Sequence, residues 1–216
     1  MTDQIKLAET LITQLHLPLI RLNGKVPIEK SWQENPKGTV SLEDLPNIRG
    51  NLGVACGHEI AKGEFLFVID VDKNRDGYAS LKKLADKIDM PDTFNVLTGG
   101  GGQHLYFVSE APLPIKIDPE GFPGVEFRGK GAQVVAPGSL HASGKTYEIT
   151  PACADYIEKA PQKLIELISS FKNIKPKTAN GAVEKIKTGR NNYLTIIAGR
   201  LRRSGLAEKA LYAALI

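Results

Sequence analysis

The chain has 216 residues, 42% of them hydrophobic and 24% charged, with a formal net charge of +4; these values exclude a disordered or fibrous polypeptide and allow one substantial domain with a small appendage. The mild basic excess suits a polyanionic partner without requiring one. No run approaches the roughly 20 apolar residues of a membrane span, the start MTDQIKLAET lacks a secretory pattern, and Cys56 and Cys153 match no paired zinc spacing, so reduced thiols in a cytoplasmic protein are expected.

Residues 4 to 16 place Ile5, Leu7, Ala8, Leu11, Ile12 and Leu15 near helical spacing, which predicts an opening amphipathic helix. Leu17 to Leu22 reads as a short strand, closed by a turn at Asn23-Gly24. Residues 35 to 50 are rich in Pro, Gly and polar residues and predict a loop with one short helix, begun by Ser41 three residues before Asp44. Leu52 to Ala55 is a further strand, and Phe65-Leu66-Phe67-Val68-Ile69 is a continuous apolar run of the kind buried on both faces. After a turn at Asp76-Gly77, Leu81, Leu84, Ala85 and Ile88 share one helical face that Met90-Pro91 ends.

Strands are expected at Phe94 to Leu97 and Leu105 to Val108, forming a hairpin whose tip holds the glycines from Gly99 to Gly102. Val125 to Phe127, Gln133 to Val135 and Thr146 to Ile149 complete the sheet, and Pro161 to Phe171 predicts an amphipathic helix. Residues 1–172 therefore read as the main domain, 173–187 as a polar, Lys-rich linker and 188–216 as a helical module of two helices around Ser204-Gly205. That module stays apolar up to Ile216, as expected of a truncated element, the alternative being a C-terminal docking helix.

Three clusters point to chemistry. In Val68-Ile69-Asp70-Val71-Asp72 the period of two turns both aspartates to one side at the end of a buried strand. Two carboxylates so placed repel each other unless a cation neutralises them, and Mg²⁺ or Mn²⁺ prefers such oxygen ligands together with substrate phosphates. An ordinary polar strand end is the alternative. In Thr98-Gly99-Gly100-Gly101-Gly102-Gln103-His104, backbone N–H groups unshielded by side chains suit a triphosphate, and His104 stands where it can donate to a phosphate oxygen. The alternative is a flexible hairpin tip, and the Gly-Lys-Ser/Thr ending of a Walker loop is absent.

The third cluster is Gly124-Val125-Glu126-Phe127-Arg128-Gly129-Lys130-Gly131, followed by Ala136-Pro137-Gly138-Ser139-Leu140-His141. Glu126 can complete a three-carboxylate site, while Arg128 and Lys130 offer donors to phosphate. An exposed basic hairpin is the alternative, with Ser139 and His141 as turn residues.

This order of clusters resembles the bifunctional primase-polymerase family of the archaeo-eukaryotic primase superfamily. Pro18-Leu-Ile, Gly24-Lys25-Val-Pro27, Ser31-Trp32-Gln33, Asn51-Leu-Gly53-Val-Ala-Cys-Gly57 and Tyr147 extend the likeness over about residues 15 to 150. The resemblance implies an α+β fold: an archaeo-eukaryotic primase-like catalytic core of mixed and antiparallel sheets with flanking helices and an RRM-like half, followed by a small helical segment. It implies that Asp70, Asp72 and Glu126 bind two Mg²⁺ or Mn²⁺ ions, and that His104 contacts the triphosphate of an incoming dNTP or NTP. Gly100, Gly101, Gly102, Gln103, Arg128, Lys130, Ser139 and His141 are expected at the nucleotide, with Lys25 and Trp32 bordering the site. Two departures stand out: the third acid is Glu where many relatives have Asp, and Gln103 precedes the histidine where a basic residue is common. The second leaves phosphate charge to Arg128, Lys130 or another lysine.

The tail from Thr188 to Leu206 is similar to the small helical module that often follows such domains, and Arg190, Arg200, Arg202 and Arg203 form a basic face that can meet a nucleic-acid backbone or simply be solvated. The expected activity is template-directed nucleotidyl transfer on single-stranded DNA with a primer or initiating nucleotide, with pyrophosphate release and a helicase on the C-terminal side. A metal-dependent nuclease and an inactive replication-initiator DNA-binding module are the rival readings.

Overall fold

In the computed structural model, which describes residues 3–35, 37–151 and 153–171, secondary structure is dominated by strands. Helix α1 (Asp3–Thr13) leads into β1 (Leu19–Asn23) and β2 (Val26–Pro27), followed by β3 (Asn51–Ala55), β4 (Glu59–Ala61) and β5 (Glu64–Val71). Then come α2 (Gly77–Ala85), β6 (Asn95–Leu97), β7 (Gln103–Ser109), β8 (Lys116–Ile117), β9 (Val125–Arg128), β10 (Gln133–Val135), β11 (Glu148–Ile149), β12 (Glu158–Lys159) and α3 (Gln162–Ser170). The linker and helical module expected over 173–216, with Arg190, Arg200, Arg202 and Arg203, lie outside the described residues.

The strands form two sheets. The smaller has the order β10-β3-β1-β2, and the larger runs β11-β6-β7-β5-β9-β8, with β4 added to β5 and β12 to β7. All pairings are antiparallel except β12 with β7. The described part is thus a mixed α+β fold with antiparallel sheets and few helices.

Strand β5 explains the layering. Its residues Leu66 to Ile69 are all buried, so both faces of the larger sheet are covered. Leu66 and Val68 join a core with Leu19, Ile20 and Val54 of the smaller sheet and Leu11 of α1. Phe67, Ile69 and Val71 turn the other way, onto Leu84 of α2 and Leu164 and Ile168 of α3. Each of those two helices contributes its apolar stripe to this second core, as amphipathic spacing requires.

The turn after β9 departs from a hairpin. Arg128 ends a strand of the larger sheet and Gln133 begins one of the smaller, so Gly129-Lys130-Gly131 carries the chain between sheets. A side chain on Gly129 would meet the Leu113 carbonyl at 2.0 Å. The Cys56-Gly57 step is a second crossing, and the two touch: Gly57 has φ +82°, and a Cβ there would lie 2.2 Å from Lys130 Cα. Tertiary contact at the crossings therefore sets this backbone together with a local turn, in which the Ala132 N–H donates to the Gly129 carbonyl at 3.0 Å.

Several short elements escape sequence periodicity. β2, β4, β8 and β12 have two or three residues each, too few for alternation to register. The expected helix near Ser41 is a single 3₁₀ turn at Leu45–Asn47, preceded by Ser41, whose N–H and hydroxyl both donate to Asp44 Oδ2 at 2.8 and 2.7 Å. Both cysteines are free.

Candidate active site

The larger sheet brings three of the singled-out residues abreast. Asp70 on β5 pairs in register with His104 on β7 and with Glu126 on β9. Val68, Tyr106 and Arg128 occupy the next matched positions on the same face. Along β5 that face runs from the buried Leu66 and Val68 to the partly exposed Asp70, so the charged cluster begins where the core between the sheets ends.

Arg128 binds across the acids. Its Nη2 lies 3.1 Å from Asp70 Oδ2 and 2.6 Å from Glu126 Oε2, and its Nε lies 3.3 Å from Asp70 Oδ2. Arg75 approaches Glu126 Oε1 at 3.5 Å and also pairs with Asp118. Asp72 continues extended just beyond β5, and its Oδ1 accepts the Asn74 N–H at 2.9 Å, capping the 3₁₀ turn Lys73–Arg75. His104 is buried, with Nε2 3.6 Å from Asp70 Oδ1 and Nδ1 without a hydrogen-bond partner.

The protonation tendencies follow from this crowding. Burial raises the pKa of Glu126, with Asp70 and Asp72 adding to the rise and Arg128 and Arg75 opposing it. Burial lowers that of His104, against the pull of Asp70 and with help from Arg128 and Lys25, so the neutral imidazole is favoured at pH 7. For Arg128, burial works against the charge, but Glu126 and Asp70 outweigh it and hold the guanidinium above its ordinary pKa.

Among the described residues no group of three Asp, Glu, His or Cys side chains is gathered as a metal cage. The donor chemistry nevertheless fits a hard divalent ion: three carboxylates within each other's field, with a guanidinium cation already seated across two of them. Over this core the family model for the bifunctional DNA primase/polymerase N-terminal domain matches residues 8–163. The chain belongs to that family. A comparison with curated proteins finds no match. Membership carries DNA primase/polymerase activity in general, with DNA and nucleotides as partners. No helix among the described residues is long and apolar enough to cross a membrane.

The glycine loop of this primase/polymerase domain is a tight hairpin tip. Gly101 N–H donates to the Thr98 carbonyl at 2.8 Å and Gly102 N–H to Thr98 Oγ1 at 2.9 Å, so these two donors serve the turn itself. Glycine is required at 102 because a Cβ would sit 2.1 Å from the Val71 carbonyl. Gly100 packs beside the His141 ring, while Tyr78 donates to the Gly101 carbonyl at 3.1 Å. His141 Nδ1 accepts the Ser143 N–H at 3.1 Å, leaving its Nε2 edge beside Gly100.

Other singled-out residues lie apart from the acids. Gln103 neighbours His104 but alternates to the opposite sheet face, where its amide donates to Asn95 Oδ1 at 3.0 Å. Ser139 is fully buried and its hydroxyl bonds both the N–H and the carbonyl of Leu52, at 3.0 and 3.1 Å, tying its turn to β3. Lys130 is exposed at the sheet crossing, where its charge acts on His58. Trp32 packs at the margin of the core between the sheets. The charge of Lys25 disfavours protonation of both His104 and His141.

Sequence reading missed Arg75 and Asp118. Arg75 meets Glu126 across 51 residues of sequence, and no local spacing marks such a pair. Tyr147 supported the resemblance without a role; its ring lies between His104 and His141, with centroids 5.8 Å from each.

Proposed function

We propose that the domain performs template-directed nucleotidyl transfer, joining dNTPs or NTPs to a primer or initiating nucleotide on single-stranded DNA with release of pyrophosphate. The observation that carries this reading is the row His104-Asp70-Glu126 across three adjacent strands, with Arg128 on the same face. Under it, the fold is an archaeo-eukaryotic primase core, and Asp70, Asp72 and Glu126 hold two Mg²⁺ or Mn²⁺ ions. The chemistry such ions supply when bound is activation of the attacking hydroxyl and stabilisation of the leaving pyrophosphate.

The protein's own groups have distinct tasks. Asp70 and Glu126 present hard oxygens from rigid strand positions, so their separation is set by the sheet rather than by side-chain freedom. His104, neutral and held in register with Asp70, donates through an imidazole N–H to an anionic phosphate oxygen. Arg128 neutralises the acids in the free chain and offers the same guanidinium to a phosphate once the acids have other counter-charges. Gly100 of the hairpin tip lies beside the His141 ring of the β10–β11 segment, and His141 is joined to His104 through the Tyr147 ring. Arg190, Arg200, Arg202 and Arg203 of the expected 188–216 module would add backbone-phosphate contacts, with a helicase as the partner on that side.

The test is incubation of the full chain with unprimed single-stranded DNA, labelled nucleotides and Mn²⁺. Labelled products longer than a dinucleotide support the reading. Shortened template with no labelled product would establish a nuclease instead.

A further inference from the structure

Around His141 is a groove of about 730 Å³, lined by the β1–β2 turn, by Arg49 to Asn51 and by Leu140 to Ala142. None of its eleven lining residues is acidic, whereas Lys25 and Arg49 bring permanent positive charges and His141 an imidazole. Asn51 ties the lining segments together. Asn51 donates to the Gly24 carbonyl at 2.9 Å and the Leu140 carbonyl at 2.8 Å, and accepts the Leu140 N–H at 2.9 Å. These bonds join the three lining segments and use the amide internally, leaving the cations as the groove's main binding charges.

Two apolar side chains add to it: Ile28 and Leu140, both in its lining, are 56% and 58% exposed. Charge on two separate segments together with open apolar surface suits a repeating backbone carrying bases better than a single compact triphosphate, which calls for enclosing donors. The groove also leads to the chemistry, because His141 lines it and is followed by Tyr147 and then His104 of the acid row, with ring centroids 5.8 Å apart at each step.

We propose that this groove carries the single-stranded DNA entering the site, with Lys25 and Arg49 on backbone phosphates and Ile28 and Leu140 against its bases. The assignment rests on the primase/polymerase reading above and adds the surface that holds the strand.

The full chain is titrated against a fluorescent oligothymidylate in EDTA without nucleotide, at several salt concentrations. For Lys25→Gln/Arg49→Gln, binding weakens and the slope of log K against log salt becomes shallower by about 1.4, two phosphates at about 0.7 each. A Lys62→Gln/Lys163→Gln control, with charges removed from the turn before β5 and from α3, keeps the wild-type slope. An unchanged slope in the groove variant overturns the proposal. As a second measurement, Leu140→p-benzoylphenylalanine should cross-link the oligonucleotide on irradiation, and absence of that cross-link also overturns it. Asp70→Asn/Asp72→Asn, which removes extension under the catalytic reading, does not weaken this binding, since it takes two negative charges away from a polyanion, so failure of the groove and failure of the catalytic reading are separately visible.

Discussion

The two faces of the larger sheet are built from the same strands and do opposite work. Toward α2 and α3, Phe67, Ile69, Val71, Phe107 and Phe127 pack into a dry layer, with the Phe67 and Phe107 rings stacked 5.9 Å apart. Toward the smaller sheet, the intervening residues begin equally dry at Leu66, Val68 and Tyr106, then change to His104, Asp70, Glu126 and Arg128. Glu126 shows the cost of that change, since burial and neighbouring acids both resist its ionisation. A charged row of this kind persists because the opposite face fixes the backbone beneath it. The apolar face thus acts as the rigid backing of the polar one, and the two are separated by a single residue's offset along each strand.

That contrast is open to direct challenge. On the polar face, Asp70→Asn should lower primer extension by about 10³-fold or more while moving Tm by only a few degrees, as read by extension kinetics and thermal melting. A variant that instead unfolds would show that the charged row supports the fold. On the apolar face, Phe67→Ala should cost about 3–5 kcal/mol in urea unfolding through lost burial and a cavity.

His104→Gln should reduce kcat/KM for the nucleotide by about 100-fold, the scale of one lost donor to a developing charge. The same variant carries a pH signature. Because the folded pKa of His104 lies below 6.5, the unfolded chain binds a proton that the folded chain refuses as pH falls beneath that value. Wild-type stability should therefore decline from about pH 6.5 downward to the depressed folded pKa, and the variant should lack that part of the slope. The smallest effect belongs to Gln103→Ala, adjacent in sequence but on the other face; extension should stay within about twofold of wild type. A large loss there would break the division between the faces.

Much of this was legible before the structure. The run Phe65 to Ile69 marked a strand covered on both sides, and the two-residue spacing of Asp70 and Asp72 placed them on one side of its end. The Gly99–Gly102 tip and the separate positions of His104 and Glu126 on later strands were also readable. Adjacency says less: Gln103 and Ser139 lie within or beside the motifs, and their polar groups bond Asn95 and Leu52. Gly101 and Gly102 likewise put their N–H groups into the turn, because a four-residue tip must first satisfy its own backbone.

By itself, the sequence determined which residues could share a face, since alternation along a strand depends only on backbone geometry, and it determined where chemistry-bearing types were concentrated. Only the tertiary structure decided which faces meet. The β7-β5-β9 order aligned His104, Asp70 and Glu126, and the crossing at Gly129–Gly131 sent β10 to the other sheet. The Arg75–Glu126 pair and the Lys25–Arg49–His141 groove depend in the same way on contacts between distant segments. Strand order and sheet partnership are properties of long-range pairing, and no local period in a chain encodes them.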